Sequence, residues 1–166
     1  MAAEYSSITS QIVSANQPIV FTEAPVPCRE GIIFHRDGTG VFLLSSRGLK
    51  PYRECCGVVI PEALYTVEVH ANVQIPDGGV VDAITLAVVL DGEIEPAAVM
   101  SVTPAATEEP FNIGTSVVVN VPAICGCSRV SVRNIGDADV EVLSAIIIFN
   151  RSGVMREEGV GYGNEV

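Results

Sequence analysis

The clearest pattern in the chain is an alternation of apolar and polar side chains between Leu64 and Ile75. Every second residue from Tyr65 onward is apolar, and the residues between them are polar. A period of two is typical of a strand with one buried and one exposed face. Shorter runs of this kind, separated by Gly, Pro and Asp-Gly turns, predict about nine strands and no convincing helix. We therefore expect an all-β protein, a sandwich or a barrel, with a two-sheet antiparallel jelly-roll sandwich as the favoured arrangement.

Two strands of this pattern lack a polar face. In the strand at 140–149, Val142, Ile146 and Ile148 lie on one face and Leu143, Ile147 and Phe149 on the other. The strand at 111–121 has Val118 on the face opposite its other apolar side chains. Antiparallel sheets usually leave one face in water, so these strands need a second cover, which another copy of the chain can supply. A central strand under a long loop is the alternative. The residues expected at the interface of a closed homo-oligomer are Phe111, Ile113, Val117, Val119, Val142, Ile146, Ile148 and Phe149.

The same pattern suggests three segments. Residues 18–150 hold the strands and form the jelly-roll domain. Residues 1–17, rich in Ser, Thr, Ala and Gln, are expected to be an N-terminal arm or a weak first strand. Residues 151–166 have no apolar period and are rich in glycine, so they are expected to be a flexible C-terminal tail.

Composition agrees with this picture and excludes several classes of protein. The 166 residues include 26 Val and 15 Ile but only 7 Leu, and branched side chains favour strands. With 48% hydrophobic and 17% charged residues, the chain is not of the disordered type. A net charge of −11 argues against a nucleic-acid partner, which requires clustered Lys and Arg. No apolar run approaches the roughly 20 residues of a membrane span, and no signal peptide is expected.

The chain shows no motif of an enzyme or of a metal site. Five cysteines lack the paired C-x₂₋₄-C spacing of zinc sites, so we expect small apolar residues of a reduced protein, with a disulfide or metal as alternatives. Asp-Gly pairs could donate oxygens to calcium, but hairpin turns prefer Asp-Gly for its backbone geometry. Nucleophile elbows, phosphate loops and zinc-protease motifs are absent. We expect no catalytic residues, no cofactor and no metal.

Several segments resemble a known family. They read Asn-Gln-Pro-Ile-Val-Phe-Thr-Glu at 16–23 and Ile-Phe-His-Arg-Asp-Gly-Thr-Gly at 33–40, with further matches at 85–93, 102–106, 111–113 and 121–127 and in the closing apolar strand. Over about residues 12–150, the chain resembles small bacterial and phage TNF-like jelly-roll proteins, relatives in shape of the complement globular-head domain. The resemblance implies a ten-strand jelly roll, a three-fold trimer and termini that lie close together. In such a trimer, Glu68 and His70 could form an axial polar ring that holds an ion or senses pH.

The resemblance also implies a structural or adhesive role. The leading hypothesis is a virion protein made in the bacterial cytoplasm: a trimeric capsid decoration or head-fibre protein on the exterior of a bacteriophage. Its termini would dock on a major capsid or other virion protein, with no nucleic acid or membrane as partner. Three copies at −11 each carry −33, which suits an exterior surface. The alternative is an adhesin of the same fold for a receptor or glycan, on a phage, bacterial or spore surface.

Overall fold

The computed structural model describes residues 2–28, 30–55, 57–124 and 126–155. These residues form thirteen strands and no helix, which confirms the all-β prediction. In chain order the strands are β1 (Ala2–Ser7), β2 (Gln11–Val13), β3 (Glu23–Val26), β4 (Ile33–His35), β5 (Val41–Ser45), β6 (Tyr52–Glu54), β7 (Gly57–Val59), β8 (Glu62–Gln74), β9 (Ile84–Leu90), β10 (Glu93–Val102), β11 (Phe111–Pro122), β12 (Cys127–Asn134) and β13 (Val140–Met155).

Two antiparallel sheets make up the sandwich, as expected for a jelly roll. The first, sheet A, has the strand order β11-β8-β13-β1-β3, and β2 pairs with the start of β13. The second, sheet B, has the order β10-β9-β12-β5-β4. Strands β6 and β7 form a separate two-stranded hairpin between β5 and β8.

The ends of the domain differ from the predicted boundaries. The segment predicted as an arm or weak strand belongs to sheet A, since β1 pairs along residues 145–150 of β13 and β2 pairs with residues 140–142. Strand β13 continues past the predicted end at residue 150 to Met155. Most of the predicted tail, residues 156–166, lies outside the described residues.

The core lies between the inner faces of the two sheets. Strand β8 turns each of its odd-numbered residues from Ala63 to Val73 inward, and all six are buried. Sheet B faces them with buried side chains such as Phe42 and Leu44 of β5. The ring of Phe42 packs against those of Tyr5 and Phe149, with centroids 4.9 Å apart in both pairs. Phe21 adds a fourth ring at 5.4 Å from Phe42, so the aromatic side chains connect both sheets across the core.

Strand β13 contains a bulge that changes its two faces. Val142 pairs with Val73 of β8, but Ser144 pairs with the next residue, Asn72, so Leu143 is an extra residue in the strand. An extra residue reverses the alternation beyond it. The prediction that Val142 shares a face with Ile146 and Ile148 is therefore wrong: Val142 points into the core, and the two isoleucines point away from it.

Candidate functional site

The structure divides the eight residues predicted at the oligomer interface into three groups. Val117, Val119, Val142 and Phe149 are buried in the core of the single chain, so their assignment to a surface for a second copy is wrong. Phe111 and Ile113 are partly buried and pack against the core near one end of β11. Only Ile146 and Ile148 lie on the outer face of sheet A, which is the exposed side of that sheet.

Rows of paired residues cross the outer face of sheet A. One row runs from β11 to β1 through Ser116, Glu68, Ile148 and Glu4. The next row contains Gly114, His70, Ile146 and Ser6. The two isoleucines are half-buried and stand near the centre of the sheet, with polar residues on either side of them. The predicted pair Glu68 and His70 does share this face, and each lies beside one of the isoleucines.

A depression of about 500 Å³ opens in this face beside Ile146. The exposed His70 and the half-buried Asn72 line it from β8, and Ser6 lines it from β1. Gly114 leaves space for the imidazole, because a Cβ there would lie 2.6 Å from His70 Nδ1 and 2.9 Å from the Val69 carbonyl oxygen. The glycine thus allows the His70 ring to lie across β11, a role that its place in the sequence does not reveal.

Asn72 has an unsatisfied polar atom in this depression. Its Oδ1 is buried and accepts no hydrogen bond from any described residue. A buried acceptor without a donor costs about 1–3 kcal/mol, and most such groups in proteins find a partner. Asn72 therefore lowers the stability of the single chain at this point of the outer face.

One carboxylate near the end of this face is held by two neighbours. Glu141 accepts a hydrogen bond from Ser10 Oγ at 2.6 Å and another from Gln74 Nε2 at 2.6 Å. These bonds, that from Ser10 first, lower the pKa of Glu141 below its ordinary value. They connect the chain just before β2 to β8 and β13, and so fix the border of the outer face.

Other chemistry expected from the sequence can be placed only in part. Cys28, Cys55 and Cys127 are free thiols, and Cys56 and Cys125 lie outside the described residues. Among described residues, no three His, Cys, Asp or Glu side chains come close enough to hold a metal ion. One chain supplies only a single Glu68 and His70, so an axial ring would need further copies. In the described ranges, no helix has the length and hydropathy that a membrane crossing requires.

Comparison with known proteins places this architecture in one structural class. No family model matches the sequence, and neither does any curated protein. The structure is similar to the globular domain of zebrafish complement 1qA protein, with a TM-score of 0.58, 10% sequence identity and coverage of 90% of this chain and 94% of that one. It is also similar to Eiger TNF from S. frugiperda, with a TM-score of 0.52, 17% identity and 92% of each chain covered.

These similarities define the fold. The chain is a jelly roll of the type found in complement globular domains and in TNF proteins, as the resemblance in the sequence implied. At 10% and 17% identity the likeness is one of fold alone. Neither structure comes from a bacterium or a phage, so the bacterial and phage part of that resemblance gains no support from them.

Proposed function

We propose that the protein is a non-catalytic module that works as a homotrimer, with other copies covering the outer face of sheet A. The observation that carries the proposal is the pair Ile146 and Ile148, apolar side chains at the centre of an outward sheet face. The trimeric state follows the resemblance to TNF-like jelly-roll proteins. A closed assembly also agrees with the surplus of Val and Ile noted in the sequence.

The energetics of this face favour a cover. Full burial of an isoleucine contributes roughly 1.5–3 kcal/mol, so two half-buried ones offer a modest but central apolar contact in each copy. Around a three-fold axis, Glu68 and His70 would each occur three times, which is the geometry that an axial polar ring needs.

A charged substitution at Ile148 tests the interface. We expect the wild-type chain to sediment at three times 17.5 kDa and Ile148→Asp to sediment as a folded monomer, because burial of a third carboxylate between Glu4 and Glu68 is costly. Ile94→Asp is the matched control, since Ile94 is 48% exposed and its partner Val89 places it on the outer face of sheet B. A monomeric wild type at micromolar concentration, or equal dissociation by the control, would contradict the proposal.

We extend the proposal to a location: the exterior of a bacteriophage particle, as a capsid decoration or head-fibre protein docked through its termini. The support is the resemblance in the sequence and the net charge of −11, which keeps an exposed assembly soluble. Mass spectrometry of purified virions tests it. About one trimer for each three-fold axis or each hexamer of the capsid would indicate decoration, and a few copies per particle would indicate a fibre. Absence of the protein from the particles would rule out the virion location.

A further inference from the structure

A second concave surface lies on the other side of the core, on the outer face of sheet B. Two adjoining depressions of about 400 Å³ and 260 Å³ share Val41 and Arg129. Strand pairing explains their shape, because one row across the sheet places Phe34, Leu43 and Arg129 side by side. We call the two depressions the sheet B groove; its residues used below are Phe34, Arg36, Val41, Leu43, Val89, Asp91, Arg129, Ser131 and Arg133.

The groove is basic although the chain is acidic. Three of the nine Lys and Arg residues of the chain line it, namely Arg36, Arg129 and Arg133. Asp91 is the one carboxylate among its described lining residues, and its Oδ1 accepts the backbone N–H of Arg129 at 2.7 Å. Three guanidinium groups against one carboxylate leave a local charge of +2 on a molecule of −11.

The guanidinium groups are available to a ligand. Within the described chain none of the three forms an ion pair. The Nε atom of Arg133 donates to Ser131 Oγ at 3.1 Å, and one of its terminal nitrogens lies 3.5 Å from the Asn16 carbonyl oxygen, so this side chain is held in place. Guanidinium groups form short bidentate bonds to carboxylates, so anionic groups are the natural ligands here.

Apart from Ser131, the floor between the arginines is apolar. Arg129, Ser131 and Arg133 alternate outward along β12, while Val130 and Val132 point into the core. On either side of Ser131 the neighbouring strands place Val41 and Val89. Phe34, which is 49% exposed, extends this apolar floor beside Arg129.

We propose that the sheet B groove binds an extended acidic segment of a partner protein, with two carboxylates four residues apart and an apolar residue midway between them. Four residues of strand span about 13 Å, so a ligand strand that runs along β12 repeats the spacing of Arg129 and Arg133. Its middle residue then lies over Ser131, between Val41 and Val89. A sugar would need rings to stack on, and the groove offers only Phe34 in a chain without Trp.

Fluorescence anisotropy with a designed peptide tests this site. The probe is a fluorescein-labelled peptide with Glu-Ser-Leu-Ser-Glu between glycines. We expect saturable binding that Arg129→Gln and Arg133→Gln each weaken about tenfold or more, the effect of one lost charge-assisted hydrogen bond. Arg53→Gln, which removes an exposed charge from β6 outside the groove, should bind as the wild type does.

Two control probes and one competitor make the test specific. A peptide with Gln for both Glu, and one of the same composition reading Glu-Glu-Ser-Leu-Ser, should both bind at least tenfold more weakly. Absent binding, an equal loss in Arg53→Gln, or equal affinity for the rearranged peptide would overturn the proposal. So would tighter binding of a heparin oligosaccharide that Arg129→Gln abolishes, because the occupant would then be a sulfated glycan. The same variants should sediment at the wild-type mass, because the groove lies apart from the proposed trimer interface.

Discussion

Tyr65 carries a polar atom into the centre of an apolar core. The side chain is fully buried, and its hydroxyl donates to the Ser45 carbonyl oxygen at 2.5 Å, with the Ile32 carbonyl oxygen 3.3 Å away. These contacts connect β8 of sheet A to the ends of the β4–β5 hairpin of sheet B. Burial raises the pKa of the Tyr65 hydroxyl, because a phenolate would lose its hydration there.

Removal of this hydroxyl should destabilise the fold. We expect Tyr65→Phe to lower the free energy of unfolding by about 1–2 kcal/mol, because the Ser45 carbonyl loses its buried donor. Tyr52→Phe is the matched control, since the Tyr52 hydroxyl makes no hydrogen bond to any described residue. Urea unfolding at neutral pH measures both, and an equal loss in the two variants would contradict the role of the hydroxyl.

The raised pKa of the Tyr65 hydroxyl predicts a loss of stability at alkaline pH. An unfolded tyrosine ionises near its ordinary pKa of about 10, whereas Tyr65 in the folded chain ionises at higher pH. The contribution of Tyr65 is therefore complete below pH 10 and is lost as the pH rises through the folded-state pKa. Tyr65→Phe should lose less stability than the wild type between neutral and alkaline pH. Parallel curves for the two proteins would show that other groups, such as Tyr5, account for the loss.

Strands β8 and β13 are neighbours in sheet A, yet their sequences were informative to different degrees. Strand β8 alternates strictly, so both of its faces were predicted correctly from the sequence. Strand β13 is a nearly continuous apolar run, and alternation within such a run cannot locate an inserted residue. Because of the bulge at Leu143, Val142 shares the core face with Ile147 and Phe149, whereas Ile146 and Ile148 lie on the outer face.

Deletion of Leu143 tests the importance of the bulge. Without it, strict alternation would turn either Val142 or the Ile147 and Phe149 pair out of the core, so we expect loss of the cooperative thermal transition. Deletion of Val80, which is 75% exposed in the turn between β8 and β9, is the matched control and should leave the transition in place. A Leu143 deletion as stable as the wild type would mean that the bulge is dispensable.

The whole molecule presents two outward faces of different character. The outer face of sheet A is apolar at its centre with Glu4 and Glu68 on either side of Ile148, and the outer face of sheet B carries the arginines of the groove. Because the core separates the two faces, self-association on one and ligand binding on the other are compatible. Charge would act differently on the two proposed contacts, since like charges would meet at the first face and opposite charges at the second.

Salt should therefore strengthen the proposed trimer. Each copy carries −11, and screening over a Debye length of about 10 Å at 0.1 M reduces repulsion between copies while leaving apolar contacts intact. We expect the concentration for half-dissociation to fall as salt rises, as measured by sedimentation over a dilution series. Peptide binding in the groove should weaken over the same range. A trimer that salt dissociates would indicate an interface held by ion pairs instead.

The sequence by itself determined that the protein is all-β and that β8 has one buried and one polar face, and it favoured a two-sheet jelly roll. These follow from alternation and turn residues, which are properties of short stretches of chain. The tertiary structure decided which face of β13 points outward, that β1 completes sheet A, and that Phe34 and Leu43 lie beside Arg129. Each of these depends on the register between strands far apart in the chain, and no local pattern contains that register.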